Sequence, residues 1–191
     1  LTKGYYYAAI YHRSTNGTIT RIATQAPPST LIYTVFQNAG YSSNTGVEMV
    51  FQQNFSKAFS FNSNVNIYRN IINAFTVENK YPVLSIYTAG KEAITSGNVK
   101  LNGIFHLPKK TYIQLTAIYL APDIIPQGRI DTRFSVDMGI KKQIQKDKGE
   151  LFFNASDIFN TLRIKKTVTG NGFTLASTDY YETQVIRLGY S

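Results

Sequence analysis

Cysteine is absent from the 191-residue sequence, and charged residues make up only 16% of it. The missing cysteine excludes a disulfide framework, a cysteine-ligated zinc site and thiol chemistry. The low charge, together with 14% aromatic residues, excludes the composition of a disordered chain. No run approaches the roughly 20 apolar residues that a transmembrane helix needs. The sequence opens on strand-like residues without a signal-peptide pattern, so we expect a mature chain or a fragment that starts within a fold.

The net charge is +9, from 20 lysines and arginines against 11 acidic residues. The basic residues neither cluster on a helix nor form a stripe with a known nucleic-acid-binding motif, so we expect no nucleic-acid partner. Scattered surface lysines and arginines are one explanation of the charge. An anionic lipid surface and an acidic ligand are two others that suit it equally well.

Apolar and polar residues alternate over most of the chain, which predicts β-strands. In VEMVFQQNFSKAFSFNSNVNIY, residues 47–68, one parity carries Val, Met, Phe and Ile, whereas the other carries Glu, Gln, Ser and Asn. Similar patterns predict strands over residues 5–13, 31–55, 58–70, 98–107, 111–121, 129–144, 150–160 and 179–191. No segment has a sustained 3.6-residue period, so the predicted fold class is all-β.

Two details of this pattern are less regular. Residues 18–24 are predicted to return as a short second arm after a turn at 14–17. Residues 31–55 are interpreted as one long strand with a bend near 40–46, because glycines inside a strand pattern mark a bulge or bend.

The predicted connections alternate between short and long. Short turns are expected at residues 56–57, 108–110 and 145–149, and long loops at 71–94, 122–128 and 161–178. The strands are also longer than the usual five or six residues of soluble sheets. Long strands with short turns at one end and long loops at the other are typical of transmembrane barrels.

The apolar parity has two possible partners, a soluble core or lipid. Serine and asparagine on the polar parity of residues 58–68 favour a hydrated barrel interior, and hence an apolar face that contacts lipid. Tyrosines near the two ends of the chain are candidate interfacial residues of such a barrel. They are Tyr5, Tyr6, Tyr7, Tyr11, Tyr180, Tyr181 and Tyr190.

Four segments together resemble the C-terminal part of TonB-dependent outer-membrane receptors, especially the barrel family common in Bacteroidetes. They are FQNAGYSSNTGVEMVF (36–51), PQGRIDTRFSVDMGIKKQI (126–144), LFFNASDIFNTLR (151–163) and YYETQVIRLGYS (180–191). The last segment departs from the family, because it ends in Gly189-Tyr190-Ser191 without a final aromatic residue. This departure fits a truncated chain.

The resemblance implies an antiparallel up-and-down transmembrane barrel of about 22 strands, closed by a plug. Residues 1–191 would form about eight of these strands as a partial barrel domain, and the N-terminal plug domain would lie outside this sequence. The location implied is the outer membrane of a Gram-negative bacterium. The implied partners are outer-membrane lipid, the plug domain, the TonB complex acting indirectly, and a small nutrient such as a siderophore, cobalamin or oligosaccharide.

The candidate ligand-contacting residues lie on the polar parity of the predicted strands. Asn62, Asn64 and Asn66 are expected to face the barrel lumen, where they line a hydrated wall or contact a sugar or peptide. His106 also has polar parity, and an outer-membrane lipase or acyltransferase would need such a histidine beside a nucleophilic serine. Lumen positions supply such neighbours by chance, so we expect no catalysis, cofactor or metal.

Charged residues form a second candidate group on the predicted strand over 129–144. Arg129, Asp131, Arg133 and Asp137 are expected to face the lumen as a charged ladder. Cross-strand pairing is the structural explanation, and contact with a ligand or the plug is the functional one. The segment 156–160 is interpreted as a structural transition from strand to loop, with Asn160 as turn former.

Three functions follow as hypotheses. The first is a TonB-dependent transport receptor. The second is a free-standing small outer-membrane barrel that acts as a binding or structural module, since eight strands suffice to close a barrel. The third, an outer-membrane enzyme, depends on His106.

Overall fold

The computed structural model describes residues 4–191, which form sixteen β-strands and one 3₁₀ turn at Gln145–Asp147. No helix in this part of the chain is long and apolar enough to cross a membrane. The all-β prediction is confirmed. The strands are β1 Gly4–Asn16, β2 Ile19–Gln25, β3 Ile32–Asn38, β4 Tyr41–Asn54, β5 Phe59–Ile72, β6 Phe75–Asn79, β7 Ser85–Ala89, β8 Glu92–Leu107, β9 Thr111–Leu120, β10 Asp123–Ile125, β11 Gly128–Ile130, β12 Arg133–Ile144, β13 Gly149–Ser156, β14 Arg163–Gly170, β15 Phe173–Tyr180 and β16 Val185–Tyr190.

Eight strands form one large antiparallel sheet in the order β1, β4, β5, β8, β9, β12, β13, β16. Each strand therefore lies beside the sheet strands that precede and follow it along the chain, as in an up-and-down barrel. β4 and β5 have 14 residues each and β8 has 16. A transmembrane β-strand needs about 9–11 residues, so these strands are long enough to cross a hydrocarbon layer.

Short turns join the sheet strands at one end, which we call the turn end. They connect β4 to β5, β8 to β9, and β12 to β13. In the first, the Ser56 hydroxyl accepts hydrogen bonds from the backbone N–H groups of Ala58 and Phe59 at 3.1 and 3.0 Å. The predicted short turns at residues 56–57, 108–110 and 145–149 are confirmed.

At the opposite end, four long connections, residues 17–40, 73–91, 121–132 and 157–184, leave the large sheet and return to it. We call them the excursions. Three small sheets lie within them: β2–β3, β6–β7, and a four-stranded sheet in the order β10, β11, β14, β15. The predicted alternation of short and long connections is confirmed. The connection over residues 71–94, predicted as a long loop, is not irregular, since that stretch contains the β6–β7 hairpin.

The predicted single strand over residues 31–55 is also wrong. β3 pairs with β2 in the first excursion, whereas β4 pairs with β1 and β5 in the large sheet. Between them Gly40 has a φ of +51°, and a Cβ there would lie 2.8 Å from the Cβ of Phe75. Only glycine combines this backbone conformation with so close an approach. The predicted second arm over 18–24 therefore pairs with β3 and not with β1.

The predicted strand over residues 129–144 is likewise two strands. β11 ends at Ile130 and pairs with β14, and the Asp131 backbone N–H donates to the Lys165 carbonyl at 3.0 Å. β12 begins only at Arg133, in the large sheet. The alternation continues through the break because an excursion strand, like a strand of the large sheet, has one side that is more buried than the other.

The buried hydrophobic cluster lies mainly among the excursions, and we call it the canopy core. Tyr87, Ala89 and Ile94 pack against it. Burial, helped by the Glu92 carboxylate, raises the pKa of Tyr87. Since the cluster draws on three excursions, these form one packed unit. Its members are Ile22, Ala39, Ile72, Phe75, Val77 and Ile124.

Buried amides join the same three excursions by hydrogen bonds. Gln127 accepts from the Ala23 N–H at 2.6 Å and donates to the Ala23 carbonyl at 3.0 Å. Asn79, which is fully buried, donates to the Thr24 hydroxyl at 2.6 Å and accepts from Gln37 at 2.8 Å. Because both amides are buried, breaking either pairing would leave buried polar groups without partners.

Candidate functional site

The apolar parity of the large sheet forms a continuous surface, and no buried core of the described residues packs against it. Met49 pairs with Val65, Val65 with Val99, Val99 with Tyr119, and Tyr119 with Phe134. Met49, Tyr119 and Phe134 are 38%, 43% and 39% exposed. Apolar side chains so aligned across five strands, and left uncovered, match the lipid-facing surface of a transmembrane barrel.

Six aromatic residues cluster on this surface near the turn end. Phe51 lies 5.1 Å from Tyr6 and 5.9 Å from Phe61 between ring centroids, and Phe59 stacks on Phe105 at 4.8 Å. Such a belt marks the boundary between hydrocarbon and headgroups. The cluster consists of Tyr6, Phe51, Phe55, Phe59, Phe61 and Phe105.

The predicted belt of tyrosines is only partly present. Tyr6 belongs to the aromatic cluster, and Tyr190 pairs with Leu151 on the apolar parity. Tyr11 instead lies on the polar parity, where its hydroxyl donates to Asn66 at 2.9 Å. Tyr180 lies in β15, within an excursion. Because side chains alternate along β1, neighbouring tyrosines lie on opposite faces of the sheet although they are consecutive in the sequence.

The three predicted asparagines all lie on the polar parity of β5. Asn62 pairs with Asn102, Asn64 with Lys100, and Asn66 with Asn98. This face is therefore lined by amides and charged groups from neighbouring strands, as a hydrated lumen requires. Whether the asparagines contact a ligand remains a prediction.

The four predicted charged residues are not brought together. Arg133 and Asp137 lie on the polar parity of β12, and the Asp137 carboxylate accepts the Asp157 N–H at 2.8 Å. Arg129 and Asp131 lie in the third excursion, where Arg129 pairs with Thr167 of β14. The charged ladder is therefore absent between residues 4 and 191, because the chain rejoins the large sheet only at Arg133, after Arg129 and Asp131.

Asp123 is a functional candidate that sequence analysis missed. Its carboxylate accepts hydrogen bonds from the Tyr68 hydroxyl and the Asn70 amide, both at 2.7 Å, and from the Ile124 N–H at 2.8 Å. β10 is thereby held against the polar face of β5. Tyr68 and Asn70 have the same polar parity of β5 as Asn62. Nothing in the segment APDIIPQG, residues 121–128, indicates that Asp123 packs against this face of β5.

A pocket of about 960 Å³ opens on the polar face beside Asp123. It combines carboxylates, amides, phenols and a guanidinium, which suits a polar ligand held by hydrogen bonds with aromatic contacts. Residues that define it include Tyr7, Tyr11, Arg13, Glu48, Asn66 and Asp123.

Asp157 organises the strand-to-loop transition predicted for residues 156–160. Its carboxylate, only 2% exposed, accepts from the Thr183 hydroxyl at 2.7 Å and from the N–H groups of Thr161 and Leu162 at 3.0 and 3.1 Å. Burial by itself raises the pKa of this carboxyl, but the hydrogen bonds outweigh it and hold the pKa below its usual value. Asp157 and Asn160 both have positive φ, at 45° and 52°. The structural interpretation of this motif is confirmed.

His106 lies at the turn end, far along β8 from the pocket. Its Nδ1 is 3.3 Å from the Lys57 carbonyl oxygen, and its ring meets Tyr112 edge-on at 5.2 Å. A backbone carbonyl and a tyrosine ring explain its position without a catalytic role.

Comparison with known families agrees with these two faces. A model of the outer membrane protein β-barrel family matches residues 1–191, the whole chain. The chain belongs to that family. The location of this outer-membrane barrel protein is therefore the cell outer membrane. No curated protein and no solved structure matches the chain.

Proposed function

We propose that this barrel chain is the C-terminal barrel section of a TonB-dependent receptor that imports a scarce nutrient. Candidate nutrients are a siderophore, cobalamin or an oligosaccharide, and the TonB complex would supply energy through an N-terminal plug domain. The observation that carries the proposal is the polar pocket on the lumen face, which lies beside an excursion strand fixed by Asp123. A ligand that passes the excursions meets hydrogen-bonding groups and not an apolar wall.

The edges of the large sheet support a barrel of more than eight strands. β1 pairs with β4, and β16 pairs with β13; no ladder between β1 and β16 occurs in the described residues. Open strand edges are not tolerated in hydrocarbon, since their N–H and C=O groups have no partner there. Further strands beside β1 and β16 would supply these partners and would give the lumen room for a plug.

The four ordered sequence segments support the receptor assignment independently. Three of them now have a physical role: Gly40 starts the return into β4, Gln127 joins the third excursion to the first, and Asp157 fixes the turn after β13. The roles of Gly40 and Asp157 concern the junction between the large sheet and the excursions, and that of Gln127 concerns the contact between two excursions. That junction is where a receptor must present ligand-binding loops above its lumen.

Uptake measurements in the native host test the proposal. We expect deletion of the gene to abolish uptake of one radiolabelled ferric siderophore, cobalamin or oligosaccharide, and loss of TonB to have the same effect. Uptake should return with the full-length gene but fall at least about tenfold with Glu48→Gln/Asp123→Asn, because each removes a charged hydrogen-bonding group from the pocket. Asp131→Asn, a carboxylate of the same excursion outside the pocket, is the matched control.

Two results would contradict the proposal. Uptake that persists without TonB would remove the energised mechanism and favour a passive barrel or binding module. Hydrolase or acyltransferase activity that disappears in His106→Ala, with uptake unchanged, would favour an enzyme, whereas the transport role predicts no such activity.

A further inference from the structure

Positive charge is concentrated at the turn end of the sheet. The stretches 55–58, 107–111 and 141–150 contain seven lysines and two acidic residues, a net charge of +5. The four excursions, which are much longer, contain seven basic and six acidic residues, a net charge of +1. More than half of the net charge of +9 therefore lies at one end of the barrel.

Two of these lysines have acidic partners, and the others do not. Lys110 bonds to Asp147 across two turns, and Lys141 bonds to Glu150 at 2.6 Å. No salt bridge within residues 4–191 involves the remaining five, all of which are exposed. We call them the lysine collar: Lys57, Lys109, Lys142, Lys146 and Lys148.

The collar adjoins the lipid-facing surface directly. Lys142 lies on the apolar parity of β12, paired with Thr111 on one side and Leu151 on the other. Lys57 lies between Phe55 and Phe59, whose rings stack 5.6 Å apart in the aromatic cluster. A lysine at the edge of an apolar surface extends its stem along that surface and places its ammonium among the lipid headgroups.

The conformation of the turns does not require lysine. Lys109, Lys110 and Lys146 have φ values of 60°, 54° and 54°, in the left-handed region that glycine and asparagine adopt more readily. Two consecutive residues at positive φ form the kind of tight hairpin turn in which Asn-Gly is preferred. The chain has lysine there although its backbone favours other residues, so the positive charge itself is the feature to explain.

We propose that the lysine collar binds anionic phospholipid headgroups of the leaflet at the turn end. In outer-membrane barrels the short turns face the periplasm, so this is the periplasmic leaflet. Its phosphates supply the negative charge that the five lysines lack within the protein. The aromatic cluster beside the collar sets the depth at which ammonium and phosphate groups meet. The proposal depends on the membrane location and not on transport.

Lipid composition around the protein tests the proposal. The full-length protein is reconstituted into vesicles of phosphatidylethanolamine with a minor fraction of phosphatidylglycerol, and the lipids retained after mild detergent extraction are quantified by mass spectrometry. We expect phosphatidylglycerol to be enriched over the bulk, and the enrichment to decrease with added salt. In Lys57→Gln/Lys109→Gln/Lys142→Gln, the enrichment should fall about two- to fivefold.

A matched triple variant separates position from total charge. Lys80→Gln/Lys91→Gln/Lys165→Gln removes the same charge from exposed positions of the excursions and should keep the enrichment. Lys142→Gln alone provides a second variant with less risk to folding, which is checked by resistance of the folded barrel to protease. The proposal is overturned if the wild type retains lipid of bulk composition, or if both triple variants lose the enrichment equally. Retention on sedimented peptidoglycan that requires the collar, without lipid enrichment, would also overturn it.

Discussion

Arginine at position 101 gives the sharpest test of which face of the sheet contacts lipid. Leu101 lies on the apolar parity well inside β8, paired with Ser63 and Ala117, and is 39% exposed. Its small neighbours leave room for a longer side chain, so the cost of Leu101→Arg comes mainly from charge in hydrocarbon. That cost is about 2–4 kcal/mol at the bilayer midplane, or roughly a 30- to 700-fold change in the unfolding equilibrium.

Urea titration in phospholipid vesicles measures this cost for the full-length protein. The folded fraction is read from protease resistance at each urea concentration, and the free energy of unfolding is obtained by linear extrapolation. Asn98→Arg on the polar face of the same strand is the matched control, and it should cost at most about 1 kcal/mol because water hydrates its charge. If Asn98→Arg were the more destabilising of the two, the lipid-facing and lumen-facing surfaces would be assigned the wrong way round.

Three further substitutions test the contacts between the excursions and the junctions of the excursions with the large sheet. Gln127→Leu should destabilise the folded state by about 1–3 kcal/mol, because it leaves the Ala23 N–H and carbonyl buried without partners. Gly40→Val should be at least as damaging, because its side chain would strain a positive φ and collide with Phe75. Asp157→Asn should cost about 1.5–3 kcal/mol at neutral pH. Burial raises the pKa of Asp157, but its hydrogen bonds outweigh burial and hold the folded-state pKa below the unfolded value of about 3.9. The stabilisation of the folded state by the ionised carboxylate is therefore complete above the unfolded pKa and disappears as pH falls through the lower folded pKa.

Each of these predictions has its own measurement. The urea midpoint of unfolding at neutral pH measures the effects of Gln127→Leu and Gly40→Val. Gly17→Val is the control for positive φ without a collision, since nothing lies near a Cβ at Gly17. Equal midpoints for Gly40→Val and Gly17→Val would remove the role of Phe75. For Asp157→Asn, titration from pH 7 to pH 2 should bring the wild-type and variant midpoints together. A gap that widens on acidification would mean that the carboxyl is not stabilised in its ionised form.

Alternation and turn residues allowed the large sheet to be predicted from sequence. The short turns and the apolar parity of Met49, Val65 and Phe134 follow from side chains that point to opposite faces along a strand. The shared polar parity of Asn62, Asn64 and Asn66 was predicted in the same way. These features depend on the order of neighbouring residues along the chain, which can be read directly from the sequence.

The excursions could not be predicted to the same depth, because their strands alternate too. Residues 31–55 and 129–144 continue the period of two across breaks at Gly40 and Asp131, so periodicity alone joins strands that belong to different sheets. The contacts that separate them come from distant residues: Phe75 beside Gly40, and Lys165 opposite Asp131. Asp123 was missed for the same reason, since its partners lie more than fifty residues away.

The shared interior beneath the surface loops constrains how such a protein diversifies. Ile22, Val77 and Ile124 come from three separate connections yet fill one cluster, and Gln127 bonds to the backbone of Ala23. A recombination event that exchanged a single loop would disturb the interior of its neighbours as well as its own exposed tip. We therefore expect variation between homologous proteins to concentrate at hairpin tips, and engineered grafts to succeed when the three loops are transplanted as a set.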